Sequence, residues 1–145
     1  MRILLSGGGT GGHVFPALAV ARRALAQSGN NKVLFVGNPH SIEATLVPKH
    51  GYTFVGLECS GFASRSLQRK LKSLWELQRA VWKACSIIRD FSPDVVLGVG
   101  GYVSMPVVIA AGLLRVPVVL HEQNASAGLA NRVGARWAKR ICVSF

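Results

Sequence analysis

Five glycines in six positions, Gly7-Gly8-Gly9-Thr10-Gly11-Gly12, constrain this chain more than any other feature. The apolar run Ile3-Leu4-Leu5 precedes them and reads as a strand over Ile3 to Ser6, while Pro16 to Gln27 follows and reads as a helix. Glycines in such number forfeit side-chain packing and backbone order, which a chain tolerates where its backbone must approach something closely. A tight turn alone needs only one or two. A strand, a glycine loop and a helix start gather several N–H groups at the positive end of a helix dipole, a setting that suits phosphate or pyrophosphate.

The rest of the chain alternates strands and helices. Val33 to Val36 is continuously apolar, as in a strand buried on both faces. Gly29 before it reads as a helix C-cap. Ser41 to Lys49 reads as a short helix with Ser41 as N-cap and a Glu close behind. Tyr52 to Leu57 is a third strand and Glu58 to Ser66 a loop. A long helix then covers Leu67 to Asp90, with Leu67, Leu71, Leu74, Val81, Cys85 and Ile88 on one apolar stripe. Asp94 to Val99 is a strand, Gly98 to Tyr102 a second glycine loop, and Met105 to Leu114 a helix. Val118 to Leu120 is a strand leading into His121-Glu122-Gln123-Asn124; Ala127 to Ala138 is a helix, and Arg140 to Phe145 begins another strand. This order predicts an α/β fold with a parallel sheet of about six or seven strands between two helical layers. Ligands of such sheets sit beyond the carboxyl ends of the strands, so the loops after strands one, four and five share one rim.

At 145 residues, half of them hydrophobic, the chain has the length of one domain with a real core. Lys plus Arg number 17 against 6 Asp plus Glu, a net charge of +11 that calls for an anionic partner: nucleic acid, an anionic membrane or a phosphorylated substrate. Cys59, Cys85 and Cys142 form neither a zinc pattern nor a disulfide framework, which points to a reducing compartment. The longest apolar run, Val107 to Leu114, falls well short of the ~20 residues that span a bilayer. Ile3-Leu4-Leu5 is too short for the apolar core of a signal peptide. The expectation is a soluble or membrane-surface protein. Its sequence stops within the last strand, as part of a larger protein would.

Gly7-x-Gly9-x-x-Gly12 matches the dinucleotide fingerprint, but Val36-Gly37-Asn38-Pro39 lacks the acidic residue that would hold a ribose. Gly7 and Gly12 also have P-loop spacing, yet His13-Val14 replaces the required Lys-[Ser/Thr]. Aspartate occurs only at 90 and 94, so no close acidic pair is available for magnesium and no metal is expected. His13 opens the first helix, where the dipole favours a neutral imidazole able to take a proton from a hydroxyl. It is either that base or a ring that shapes the loop. Glu122 is the other candidate base, or else the partner of a basic residue. Asn124 either grips a sugar or phosphate or caps the next helix, and Tyr102 either lines the cleft or covers the sheet end. Arg65, Arg69, Lys70, Lys72, Arg79, Lys83 and Arg89 surround a single acid, Glu76, with Trp75 and Trp82 on one helical face. A basic, Trp-bearing amphipathic helix is a membrane-interface signature, or else a solvated face with its tryptophans inward.

Taken together, GGTGGHVFPALAVA (Gly8 to Ala21), LVPKHG (Leu46 to Gly51), PDVVLGVGGYVSMP (Pro93 to Pro106) and PVVLHEQNASAGLANR (Pro117 to Arg132) resemble the amino-terminal half of the MurG family of peptidoglycan glycosyltransferases, along nearly the whole chain. The resemblance implies one half of a GT-B architecture, in which two Rossmann-like domains face a cleft. Residues 1–145 would be the amino-terminal domain serving the lipid acceptor, and the donor-binding carboxy-terminal domain would lie outside them. The implied reaction moves N-acetylglucosamine from UDP-N-acetylglucosamine to undecaprenyl-diphospho-muramyl-pentapeptide (lipid I), giving lipid II with inversion and without a cofactor. Thr10, Gly11, Gly12, Asn124, Gly100 and Gly101 then belong to the substrate site, and His13, Tyr102 and Glu122 to the activity, with His13 ahead of Glu122 as base. The family's membrane-docking patch maps onto Leu71, Leu74, Trp75 and Trp82 with Arg69, Lys72, Arg79 and Lys83, placing the protein peripherally on the cytoplasmic face of the bacterial inner membrane. An isolated half is expected to bind acceptor or anionic membrane without turnover. The alternative from another class is a non-catalytic acceptor- or membrane-binding subunit completed by a second chain. Nucleic-acid binding rests on charge alone and lacks a recognised motif.

Overall fold

The computed structural model describes residues 1–59 and 67–144, with residues 67–70 described by their backbone. The predicted positions Ser60 to Ser66 and Phe145, and the side chains of Leu67, Arg69 and Lys70, therefore lie outside the described residues. Eleven elements follow in strict alternation: β1 (Arg2–Ser6), α1 (Gly11–Gln27), β2 (Lys32–Gly37), α2 (Glu43–Lys49), β3 (Thr53–Gly56), α3 (Leu67–Phe91), β4 (Val95–Gly98), α4 (Ser104–Leu113), β5 (Val118–Glu122), α5 (Leu129–Gly134) and β6 (Ala138–Val143). The six strands form one sheet in the order β3-β2-β1-β4-β5-β6, and every pairing is parallel. This is the doubly wound Rossmann-like order, whose direction reverses between β1 and β4.

The period of two along the strands sorts their side chains into two cores. Leu4, Leu34, Val36, Val96 and Leu120 pack with Ala80, Ala84 and Ile88 of α3 and Val107, Ala110 and Ala111 of α4. Ile3, Leu5, Phe35 and Leu97 point the other way, onto Val14, Ala17, Leu18 and Ala21 of α1 and Val47 of α2. Both faces of the central strands are buried, which explains why they read as unbroken apolar runs.

Several boundaries differ from the sequence reading. Thr10 is extended (φ −145, ψ 156), so α1 starts at Gly11 and runs through Pro16. It ends on an extended Ser28, without a left-handed glycine cap at Gly29. Ile42 is the N-cap residue of α2 in place of Ser41, and α5 is shorter than predicted because Gly128 precedes its first turn and β6 already begins at Ala138. The apolar stripe of α3 is turned. Cys85 and Ile88 of the predicted stripe are buried and Val81 packs against the core, but the buried face also takes in Ala80 and Ala84, whereas Leu71 and Leu74 are 62% and 60% exposed. Alanines let α3 lie close against α4, and that contact decides the helix rotation over the larger leucines.

Candidate functional site

The loops after β1 and β4 meet at the point where the strand order reverses. The Gly8 N–H donates to the Gly100 carbonyl at 3.4 Å. Gly101 lies backbone to backbone on Gly8, so any Cβ at Gly101 would strike the Gly8 carbonyl, and its φ of +84 is disfavoured for other residues. The second glycine loop thus packs directly against the first.

Thr10 stands at the N-cap of α1, but its hydroxyl makes no bond to the helix amides. Thr10 Oγ1 instead pairs with His13 Nδ1 at 2.9 Å. The first-turn N–H groups of Gly11 and Gly12 have no intrahelical acceptor, so the positive end of α1 opens onto the rim without a side-chain cap. The other edge of the His13 ring faces inward. A Cβ on Gly100 would come within 2.9 Å of Nε2. Burial lowers the His13 pKa below 6.5, against opposing pulls from Glu122, Glu43 and the Gly8 backbone. The ring is therefore neutral at neutral pH.

Glu122 closes the site from the end of β5. It is 5% exposed and accepts four N–H bonds: from the Asn124 backbone at 3.0 Å, Asn124 Nδ2 at 2.9 Å, the Gly128 backbone at 3.0 Å and Asn131 Nδ2 at 2.9 Å. Burial alone would raise its pKa, but these donors outweigh burial and hold the carboxyl down at about 2. Asn124 does not cap α5, since Gly128 occupies that position. Tyr102 is 49% exposed, with its carbonyl accepting the Cys59 thiol at 3.7 Å, and does not bury itself in the sheet end.

The rim thus brings together Thr10, Gly11, Gly12, His13, Gly100, Gly101, Glu122 and Asn124, while the tryptophans of α3 lie elsewhere. Trp75 and Trp82 are 59% and 68% exposed, continuous with Leu71 and Leu74 on the face away from the core. Arg79 stacks on Trp75, 5.0 Å from guanidinium carbon to ring centre. Arg79 and Lys83 also line an open pocket of about 590 Å³ that reaches Asn38, His40, Glu58 and Cys59. Two contributors escaped sequence reading. Asn131 appeared only as a helix residue, yet it ties Glu122 to the His121 carbonyl. Glu43 appeared as a helix-start acid, yet it is 1% exposed beneath the first glycine loop. Among the described residues no group of three His, Cys, Asp or Glu could hold a metal, and no helix is long and apolar enough to cross a membrane.

The chain is 49% identical over its whole length to a Syntrophotalea carbinolica protein named UDP-N-acetylglucosamine–N-acetylmuramyl-(pentapeptide) pyrophosphoryl-undecaprenol N-acetylglucosamine transferase, covering 40% of it. It is 44% identical to the Bacteroides thetaiotaomicron protein of the same name, covering 39%. The crystal structure of Acinetobacter baumannii MurG superposes with a TM-score of 0.86 over 99% of this chain and 41% of that one, at 37% identity. The chain therefore spans about 40% of the length of the relatives it matches. The sequence profile of the glycosyltransferase family 28 N-terminal domain matches residues 3–143, and the chain belongs to that family.

Proposed function

We propose that this chain is the acceptor-side half of an N-acetylglucosaminyltransferase that uses UDP-N-acetylglucosamine and an undecaprenyl-diphosphate-linked muramyl pentapeptide. The observation that carries the reading is a neutral imidazole at an uncapped helix start between two glycine loops. In this reading the Gly11 and Gly12 amides receive the acceptor diphosphate. The sugar hydroxyl takes the place of Thr10 Oγ1 at His13 Nδ1 and gives up its proton there while its oxygen attacks the anomeric carbon. The bond from that carbon to the UDP oxygen breaks as the new one forms, so the centre inverts and UDP leaves with the electron pair. Glu122, with both oxygens already engaged, fits a brace for Asn124 and the α5 loop better than a base. Asn124, Gly100, Gly101 and Tyr102 contribute to the acceptor surface.

The donor half belongs to the remaining length of the relatives, so the chain alone is proposed to bind acceptor without turnover. The exposed Leu71, Leu74, Trp75 and Trp82, with Lys72, Arg79 and Lys83 beside them, would rest on an anionic membrane, on the cytoplasmic face of a bacterial inner membrane. The test compares transfer by the chain alone with transfer by the chain completed with the carboxy-terminal half of the S. carbinolica relative, using a lipid I analogue. Turnover only in the completed form supports the proposal. Equal turnover by the isolated chain, or none by either, overturns it.

A further inference from the structure

We propose that Glu43 is a positioning residue that holds the first glycine loop from below and so fixes which of its amides face the rim. This rests on the reading of that loop and His13 given above.

Glu43 comes from α2, on the far side of β2 from the site, and no exposed role is open to it at 1% exposure. Its two oxygens are divided between two loops. Oε2 accepts the Gly9 N–H at 3.1 Å, and Oε1 accepts the Asn38 N–H at 2.9 Å. A buried carboxylate needs such partners, and N–H bonds to a charged acceptor are among the stronger ones. The space it occupies is reserved for it: a Cβ on Gly8 would overlap its carboxylate, and a Cβ on Gly37 would press on its Cγ. Glycine at 8 and 37 thus admits this side chain beneath the loop.

The consequence is directional. Gly9 turns its N–H inward to Glu43 and Gly8 turns its N–H to Gly100. The Gly8 and Gly9 amides are spent on the protein itself, whereas those of Gly11 and Gly12 at the start of α1 have no side-chain cap. Glu43 thereby sets which amides meet an anion. Its negative charge, after that of Glu122, also favours the protonated His13 ring against the stronger effect of burial.

Three variants separate position from charge. Glu43→Gln keeps the shape and one acceptor but removes the charge, Glu43→Asp keeps the charge but shortens the reach, and Glu43→Ala removes both. In the 145-residue chain, Glu43→Gln and Glu43→Asp should speed amide hydrogen exchange at Gly9, Asn38 or both by about tenfold or more, with Leu5 and Val96 unchanged. Glu43→Gln should lower the His13 titration midpoint followed by NMR, whereas Glu43→Asp should leave it nearer the wild-type value. In the completed enzyme, Glu43→Gln should cut kcat about tenfold with KM for UDP-N-acetylglucosamine nearly constant, and move the acidic limb of the pH profile downward. Unchanged exchange and an unchanged His13 midpoint in Glu43→Gln would overturn the assignment, and this holds even if Glu43→Ala does not fold. If the completed wild type makes no product, the transfer reading falls, while exchange and titration still decide the role of Glu43.

Discussion

His13 and Glu122 look alike in the sequence, two titratable side chains on one rim, and their surroundings part them. The Glu122 carboxyl, held at about 2 instead of 4.5, is too weak a base to draw a hydroxyl proton at neutral pH. Its depressed value ties it to stability. The contribution is complete above the unfolded value of 4.5 and is lost as pH falls toward about 2. Each tenfold change in proton affinity is worth about 1.4 kcal/mol, so the whole effect is on the order of 3 kcal/mol. Glu122→Gln should therefore unfold at lower urea at pH 7, by about 2–3 kcal/mol, and should lose the part of the acid-dependent slope that wild type shows below pH 4.5. His13 has the opposite sense. Its folded pKa lies below 6.5, so the unfolded chain takes up the proton first, and stability declines as pH falls through 6.5 toward the folded value. The base form persists over that same range. In the completed enzyme His13→Ala should cost about 10²–10⁴ in kcat, with the acidic limb of the wild-type profile below pH 6.5. Thr10→Ala should cost less than about tenfold, because in the proposed mechanism the acceptor hydroxyl takes over that contact. His13 stands out in the sequence because it follows a conspicuous glycine run. Glu43 does not, because its partner Gly9 is 34 residues away and no local pattern marks a carboxylate that folds under another loop.

At the scale of the element, strand and helix order was legible throughout, since burial on both faces writes each central strand as an apolar run. The rotation of α3 was not. A periodicity that counts large apolar residues selects Leu71 and Leu74 along with Val81, Cys85 and Ile88, whereas packing keeps the last three, leaves the two leucines in solvent and adds the small Ala80 and Ala84 that bring α3 onto α4. The same rotation leaves a continuous exposed face of Leu71, Leu74, Trp75 and Trp82. These two faces give opposite predictions. Ala84→Leu should destabilise the fold by about 1–3 kcal/mol through overpacking, measured by thermal or urea unfolding. Trp75→Ala with Trp82→Ala should change stability by less than about 1 kcal/mol, because both rings are mostly in solvent and Trp75 loses only its stack with Arg79. The glycine loops obey stricter rules than the helices. Gly101→Ala combines a disfavoured φ with a clash against the Gly8 carbonyl and should cost at least about 3 kcal/mol.

Over the whole molecule, charge and apolar surface have to be read together. A net charge of +11 attracts any polyanion, so charge alone separates a membrane from DNA only through what accompanies it. What accompanies it here is an apolar, tryptophan-bearing face on α3 flanked by Lys72, Arg79 and Lys83. Binding to duplex DNA by charge releases counterions and falls steeply with salt, and tryptophans standing in water would contribute little to it. Binding to an anionic bilayer adds the insertion of apolar side chains, which salt does not screen, to about 1 kcal/mol per basic residue near the surface. The chain should therefore cosediment with phosphatidylglycerol vesicles and retain part of that binding at 0.5 M salt, ~4 Å in screening length. Trp75→Ala with Trp82→Ala should abolish the salt-resistant part and spare the salt-sensitive part, while Lys72→Glu, Arg79→Glu and Lys83→Glu together should do the reverse. Neutral phosphatidylcholine vesicles should bind far more weakly, because the apolar face alone lacks the electrostatic share. Binding to duplex DNA that matched vesicle binding at every salt concentration, and that was as sensitive to the loss of the two tryptophans, would assign this face to nucleic acid instead.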